Sequence, residues 1–208
     1  MDTETGTEIR TVEQLQDLVG PVMASAANKV RDRIGPIHRE WLATSPFLLL
    51  ATSDADGRCD VSPKGDPPGF VHVIDDHTVA VPERPGNRRV DGWRNVLANP
   101  HVGLLFLTPG RTDTLRINGR ARLLTDAPYF DELAVKGRRP ILACEVDVEE
   151  VFFHCPKAFM RSKLWEHEQW PPDTLPSVAK IAKALTRPET PLAELEEYYG
   201  PSYAERLY

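Results

Sequence analysis

The sequence predicts a mainly β fold with added helices, built around a small antiparallel barrel. Three observations lead there. Between residues 46 and 155, apolar runs and two-residue alternations of the kind found in strands recur, as in "FVHVID" (70–75), "TVAVP" (78–82) and "TLRINGRARLL" (114–124). The runs are joined by short turn signals such as "DADG" (54–57). The composition, 41% apolar and 27% charged over 208 residues, is that of one globular domain with extensions. Five or six such strands would leave two exposed edges unless the sheet closes, so a closed barrel is the expected solution.

The elements follow in order. Residues 1–10 are polar and read as disordered. "TVEQLQDLVG" (11–20) places Leu15, Leu18 and Val19 at helical spacing behind Thr11, a suitable N-cap. Gly20-Pro21 ends that helix. A second carries Met23, Ala26, Val30 and Ile34 on one stripe. After Gly35-Pro36, "IHREWLAT" forms a third, with Trp41 and Leu42 facing inward. The strands begin at "PFLLLATS" (46–53), continue through "RCDVSP" (58–63) and the two runs named above, and resume at "VGLLFL" (102–107), 114–124 and "ILACEVDVEEVFFHC" (141–155). Two short helices interrupt them, "DGWRNVLAN" (91–99) and "APYFDELAV" (127–135). Further helices follow around "AFMRSKLWE", "SVAKIAKAL" and "LAELEEYYG". This divides the chain into a helical arm (1–45), a barrel (46–156) and a C-terminal helical extension packing on the barrel (157–208).

Several function classes are excluded on composition. The net charge of −6 is the opposite of a nucleic-acid footprint. No apolar run reaches the roughly 18 residues of a membrane span, and the acidic start "MDTETGTEIR" is no signal peptide. Cys59, Cys144 and Cys155 are odd in number and unclustered, which fits neither a disulfide framework nor zinc, and points to the reducing cytoplasm. The six histidines lack metal-binding spacing, so no metal is expected.

Three polar stretches carry candidate chemistry. "PERPGNRR" (82–89) gathers Arg84, Arg88 and Arg89 with Asn87 at a turn leading into a helix. Helix starts attract anions and guanidinium forks match phosphate oxygens; alternatively the arginines pair with Glu83 and Asp91 in a solvated loop. "GRTDTLRINGRAR" (110–122) is either a half-exposed strand or, from Arg111 through Thr112 to Thr114, a loop over a cofactor at a subunit boundary. On "CPKAFMRSKLW" (155–165), Lys157 and Arg161 share a helix face ahead of Ser162 and Trp165; this is a basic surface or a ligand contact. His154 and Cys155 are adjacent on a strand and point to opposite faces, so they make a poor base and nucleophile. Tyr198, Tyr199, Tyr203 and Tyr208 read as cover for an apolar surface or subunit interface, or as an aromatic lid.

The series "SPKGDPPGF" (62–70), "ERPGNRR.D...N...NP.VGLLFL.PG...TLR.NGRA" and "FFHCPKAF.RS.LW" resembles the flavoproteins related to pyridoxamine 5′-phosphate oxidase, in particular an actinobacterial FMN-dependent branch. The resemblance runs from about Pro46 to Trp165. It implies an FMN-binding split β-barrel of Greek-key-like antiparallel strands, a homodimer with the flavin between subunits, and a small-molecule substrate of unknown identity. Related barrels hold F420 or haem, so a non-catalytic binding protein is the alternative to an oxidoreductase. By the same resemblance, the strand 59–64, with Val61, Ser62 and Lys64, runs along the flavin ring. Pro82 meets the ring through its backbone, Asn87 and Arg88 hold the phosphate with Arg84 or Arg89, and Thr114 sits at a partner-subunit position. The oxidases' C-terminal Trp-Gly-Arg substrate signature is replaced here by Lys157, Arg161, Ser162 and Trp165. In "SPKGDPPGF", Gly65 and Gly69 are read as positive-φ positions, and Lys64 either charges the flavin site or pairs with Asp66 in a turn.

Overall fold

The computed structural model describes residues 6–170 and 174–208. Contacts divide the chain into residues 1–30 and residues 31–208. The first unit holds α1 (Val12–Val19), capped by the Thr11 hydroxyl on the Gln14 N–H, and the single turn α2 (Ala24–Ala27). The expected stripe through Val30 to Ile34 is not helical. Arg31 instead exchanges two backbone bonds with Val151, and the Ile34 N–H donates to the Asp76 carbonyl.

The second unit opens with α3 (Pro36–Thr44), which buries His38, Trp41 and Leu42. The strands are β1 (Phe47–Ser53), β2 (Cys59–Gly65), β3 (His72–Val73), β4 (Thr78–Glu83), β5 (His101–Leu107), β6 (Thr114–Leu124) and β7 (Leu142–His154), with α4 (Asp91–Ala98) between β4 and β5. They form one antiparallel sheet in the order β2-β1-β5-β6-β7-β4-β3. The sheet is not closed by backbone bonds, which corrects the closed barrel expected from the sequence. It curls instead: four strands separate β2 from β4 in sheet order, yet the Lys64 Nζ on β2 lies 2.6 Å from Glu83 Oε2 on β4. Side-chain pairs bridge the split that hydrogen bonds leave open.

Alternation decides what the curl encloses. Leu48 and Leu50 on β1, Leu104 and Phe106 on β5, and Leu115 and Ile117 on β6 are all almost fully buried in one core with Val79, Val81, Val146 and the α4 residues Trp93 and Val96. A bulge at Asn118/Gly119 bends β6 against β7. Gly119 is required there, because a Cβ would stand 2.0 Å from the Asp147 carbonyl oxygen.

The segment 127–135 is a run of tight turns, not the helix its spacing suggests. Tyr129, Phe130 and Leu133 are drawn into a second cluster with Ala80 and Ala143, and the Leu133 carbonyl accepts from Arg84 instead of from a helical N–H. Beyond β7 come α5 (Lys157–Ser162), α6 (Val178–Leu185) and α7 (Leu192–Tyr198), the last two packed through Ala179, Ala182 and Leu195. Among the described residues no helix is long and apolar enough to cross a membrane.

Candidate functional site

The site begins with β2, which ends the sheet and pairs only with β1. Its residues alternate. Cys59, Val61 and Pro63 are exposed, whereas Asp60, Ser62 and Lys64 are half-buried on the opposite face. Ser62 Oγ donates to Asp60 Oδ2 at 2.8 Å. Lys64 is held between two groups: its ammonium donates to Glu83 Oε2 at 2.6 Å and sits 4.4 Å from the Trp93 ring centroid on α4. The Lys64–Asp66 turn pair is therefore not what forms.

Asp66 turns to Arg84 instead. Arg84 Nε donates to Asp66 Oδ2 at 2.6 Å, and Arg84 Nη2 donates to the Leu133 carbonyl at 2.7 Å. The Asp66 side chain is 2% exposed. Its other oxygen accepts from the Tyr208 hydroxyl at 2.5 Å. That bond, more than burial, raises the Tyr208 pKa above the ordinary phenol value. Residues 64 and 66 thus meet residues 83 and 84 in two parallel ion pairs, stitching the β2 side of the barrel to the end of β4.

The loop between them is anchored at both ends. The Asp66 N–H donates to the Pro46 carbonyl and the Gly69 N–H to the Ser45 carbonyl. Gly69 adopts φ +82°, and a Cβ there would touch the Ala43 carbonyl oxygen. Gly65 has no positive φ, contrary to expectation; it is a strand residue whose missing side chain lets Phe47 and the Pro46 carbonyl approach.

After Glu83 the loop 84–90 leads into α4. Pro82 is buried in β4 opposite Ala143. The Asn87 side chain accepts from the Arg89 N–H at 2.8 Å, and the Arg89 guanidinium pairs with Asp91. Arg88 is exposed, has φ +62° and makes no ion pair among the described residues. The three arginines therefore have distinct roles: Arg84 is an internal bridge, Arg89 is neutralised, and Arg88 projects a free charge.

The remaining predicted residues assemble separately. Arg111 forms a two-pronged pair with Asp113 at 3.0 and 2.9 Å, and its guanidinium lies 4.9 Å from the Trp41 ring centroid. Trp165 Nε1 donates to the Arg111 carbonyl at 2.6 Å. Thr112 is half-buried beside them, while Thr114 is buried within the sheet opposite His154. Lys157 and Arg161 are exposed on α5, where Ser162 Oγ donates to the Phe159 carbonyl. Cys59 and Cys155 are exposed, and Cys144 is buried, which pushes its thiol pKa up to about 12. Tyr198, Tyr199 and Tyr203 cluster ring against ring.

Sequence reasoning offered Glu83 and Asp66 only as local turn partners and Tyr208 only as one of four covering tyrosines, and did not bring the three together. The strand at 58–63 is legible in the sequence, but not the residues that its half-buried face meets.

The family described as pyridoxamine 5′-phosphate oxidase matches residues 34–155. The chain is similar to a solved pyridoxamine 5′-phosphate oxidase candidate from Lactobacillus delbrueckii, with 22% identity over 60% of this chain and 98% of that one, at a TM-score of 0.48. HupZ of Group A Streptococcus is 23% identical over 58% of this chain and 93% of its own, with a TM-score of 0.46. HutZ, named the haem storage protein of Vibrio cholerae, is 17% identical over 59% and 94%, with a TM-score of 0.41. No curated protein matches the chain.

Proposed function

Because the chain belongs to the pyridoxamine 5′-phosphate oxidase family, we propose that it is an FMN-dependent oxidoreductase acting on a small molecule, with the flavin along the free edge of β2. One observation carries this reading: a strand that ends the sheet presents an exposed apolar strip, Val61 being 57% exposed, while Lys64 near its C-terminal end is oriented by Glu83 on the opposite face. An unpaired strand edge offers backbone donors and acceptors to a flat heterocycle, and the strip offers the ring an apolar face.

The residues fit such a group. Arg88, exposed and uncompensated, would hold the phosphate. Pro82 and Glu83 end β4 where backbone would meet the ring. When bound, the flavin supplies the hydride or electron transfer. The chain's own residues bind, orient and set charge. Lys64 holds a cation at the end of β2, Glu83 offsets most of that charge, and Trp93 fixes the ammonium from below. The second group, around Arg111, Thr112 and Trp165, would meet the cofactor of a partner copy, so the working unit is a homodimer.

A second reading, a non-catalytic carrier of flavin, F420 or haem, is favoured by one feature. Two of the three carboxylates on this side, Asp66 and Glu83, are committed to ion pairs, and the third, Asp60, accepts from Ser62. Mass spectrometry of the ligand released on denaturing the purified protein separates these cofactors. Anaerobic reduction followed by acceptor-dependent reoxidation separates enzyme from carrier. Release of haem, or of no flavin, would sink the first reading. A stable monomer by sedimentation at micromolar concentration, with FMN still bound, would sink the dimeric site.

A further inference from the structure

A second basic group lies where the chain enters α3, near the start of β4. Glu83 and Arg84 lie at the other end of that strand, which is 6 residues long and so spans roughly 20 Å. Arg31, Arg33 and Arg39 line a cleft of about 530 Å³, together with His38 and with Asp76 from the turn between β3 and β4. The volume falls within the roughly 300–1,000 Å³ of ligand sites.

The backbone that carries these arginines is pinned. Arg31 exchanges two backbone bonds with Val151 on β7, and the Ile34 N–H donates to the Asp76 carbonyl at 2.7 Å. The Gly35 N–H donates to His38 Nδ1 at 3.0 Å. Residues 31–35 are thus tied to the sheet, to the β3–β4 turn and to α3, although no helix or strand of their own holds them.

Charge sets this cleft apart. Three guanidiniums line it against one carboxylate among the described residues. That carboxylate is already taken: Asp76 Oδ1 accepts from Arg39 at 2.6 Å, and this bond above all holds the Asp76 pKa below its ordinary value. The other acids of these segments, Asp32, Glu40 and Asp75, do not line the cleft. His38 adds no charge. Its Nδ1 is an acceptor, and burial, then Arg31, lower its pKa, so it is neutral at pH 7 and keeps its proton on Nε2. An excess of two positive charges remains, in a protein whose net charge is −6.

We propose that this cleft binds a small dianion, a phosphate group or a dicarboxylate, through Arg31 and Arg33, with Arg39 held in place by Asp76. Guanidinium forks match the oxygens of either group. A monoanion would answer only half of the excess charge. Arg33 can engage a ligand without displacing Asp76, which pairs with Arg39. Ile34 and Pro36 add an apolar wall, which suits a small organic body carrying the two charges. The site is made of this chain's own residues and does not rest on the flavin reading.

The test is an NMR titration of the purified protein, slightly above neutral pH, with inorganic phosphate and with succinate, each against acetate at equal ionic strength. The Arg33, Ile34 and Gly35 backbone amides and the His38 imidazole are followed. The dianions should give saturable shifts about tenfold or more tighter than acetate, as one further charge-assisted bond requires. They should also raise the His38 pKa relative to acetate, because a bound anion offsets the Arg31 charge that lowers it. Arg33→Gln should weaken binding about ten- to a hundredfold. Asp76→Asn, which removes the competing carboxylate, should tighten it. Both positions are exposed, so neither exchange endangers the fold. A saturable response to phosphate alone, or to succinate alone, bears the proposal out and names the group. Three results overturn it: no saturable shift in either the wild-type or the Asp76→Asn protein, equal affinity for acetate, or an affinity unmoved by Arg33→Gln.

Discussion

The Lys64–Glu83 pair joins β2, one end of the split sheet, to β4, next to the other end, and its removal has a calculable consequence. The N–O separation is 2.6 Å and the side chains are 15% and 22% exposed. Deleting one partner of a fully buried pair costs about 3–5 kcal/mol, because the other charge is stranded. Partial exposure reduces this to roughly 2–3 kcal/mol for Lys64→Met or Glu83→Gln. For a chain of this size that corresponds to a fall in melting temperature of about 4–12 °C. The double variant should cost less than the sum, leaving a coupling of about 1–3 kcal/mol. Thermal or urea melts of the four proteins measure this directly. Additivity within about 0.5 kcal/mol would refute the pairing. The parallel cycle of Lys64→Met with Asp66→Asn should show almost no coupling, since Asp66 is committed to Arg84. On the flavin reading the same two variants should move the reduction potential in opposite directions. Losing the lysine lowers it and losing the glutamate raises it, by roughly 20 mV per kcal/mol of differential stabilisation of the reduced ring. Shifts of the same sign against a reference dye would show that the pair does not face the cofactor.

Other consequences are simpler. Arg88→Ala should weaken FMN about ten- to a hundredfold and leave riboflavin almost unaffected, because only the former carries a phosphate; equal losses in fluorescence titrations would mean a structural role. Gly119→Ala should cost more than about 3 kcal/mol or abolish folding, since its Cβ meets the Asp147 carbonyl; near-normal urea melts would show that the bulge can relax. Stability should fall on both sides of neutrality. Burial, and then Arg31, lower the His38 pKa below its ordinary 6.5, so the unfolded chain takes up this proton first and stability is lost as pH falls below about that value. Burial raises Cys144 from 9.0 to about 12, so the folded state keeps its proton longer and stability is lost as pH rises through that interval. Urea midpoints across pH should trace both slopes, and His38→Gln should flatten the acid one.

What could be read from the sequence follows the range of the interaction concerned. Strands announced themselves because alternation is local: Leu48 and Leu50, or Leu115 and Ile117, need only the two-residue period to select a face. The helix at 91–98 was legible for the same reason. The turns at 127–135 were not, because Tyr129 and Leu133 are helically compatible and it is the distant partners Glu145 and Arg84 that draw them out of that path. Closure was misjudged on the same ground. A closed barrel is the simplest way to remove strand edges, but this chain ties its β2 edge to the end of β4 through Lys64–Glu83 and Asp66–Arg84, pairs 19 and 18 residues apart. Of the pairings that proximity offers as alternatives, Arg89–Asp91 forms, but Lys64 does not meet Asp66 in its own loop and Glu83 does not meet the arginines that follow it. The curl of the sheet exchanges them. That exchange ties residues 62–70 to the end of β4, so "SPKGDPPGF" is a turn and also one side of the candidate site. The pairs that hold the turn in place are the same pairs that set its charge.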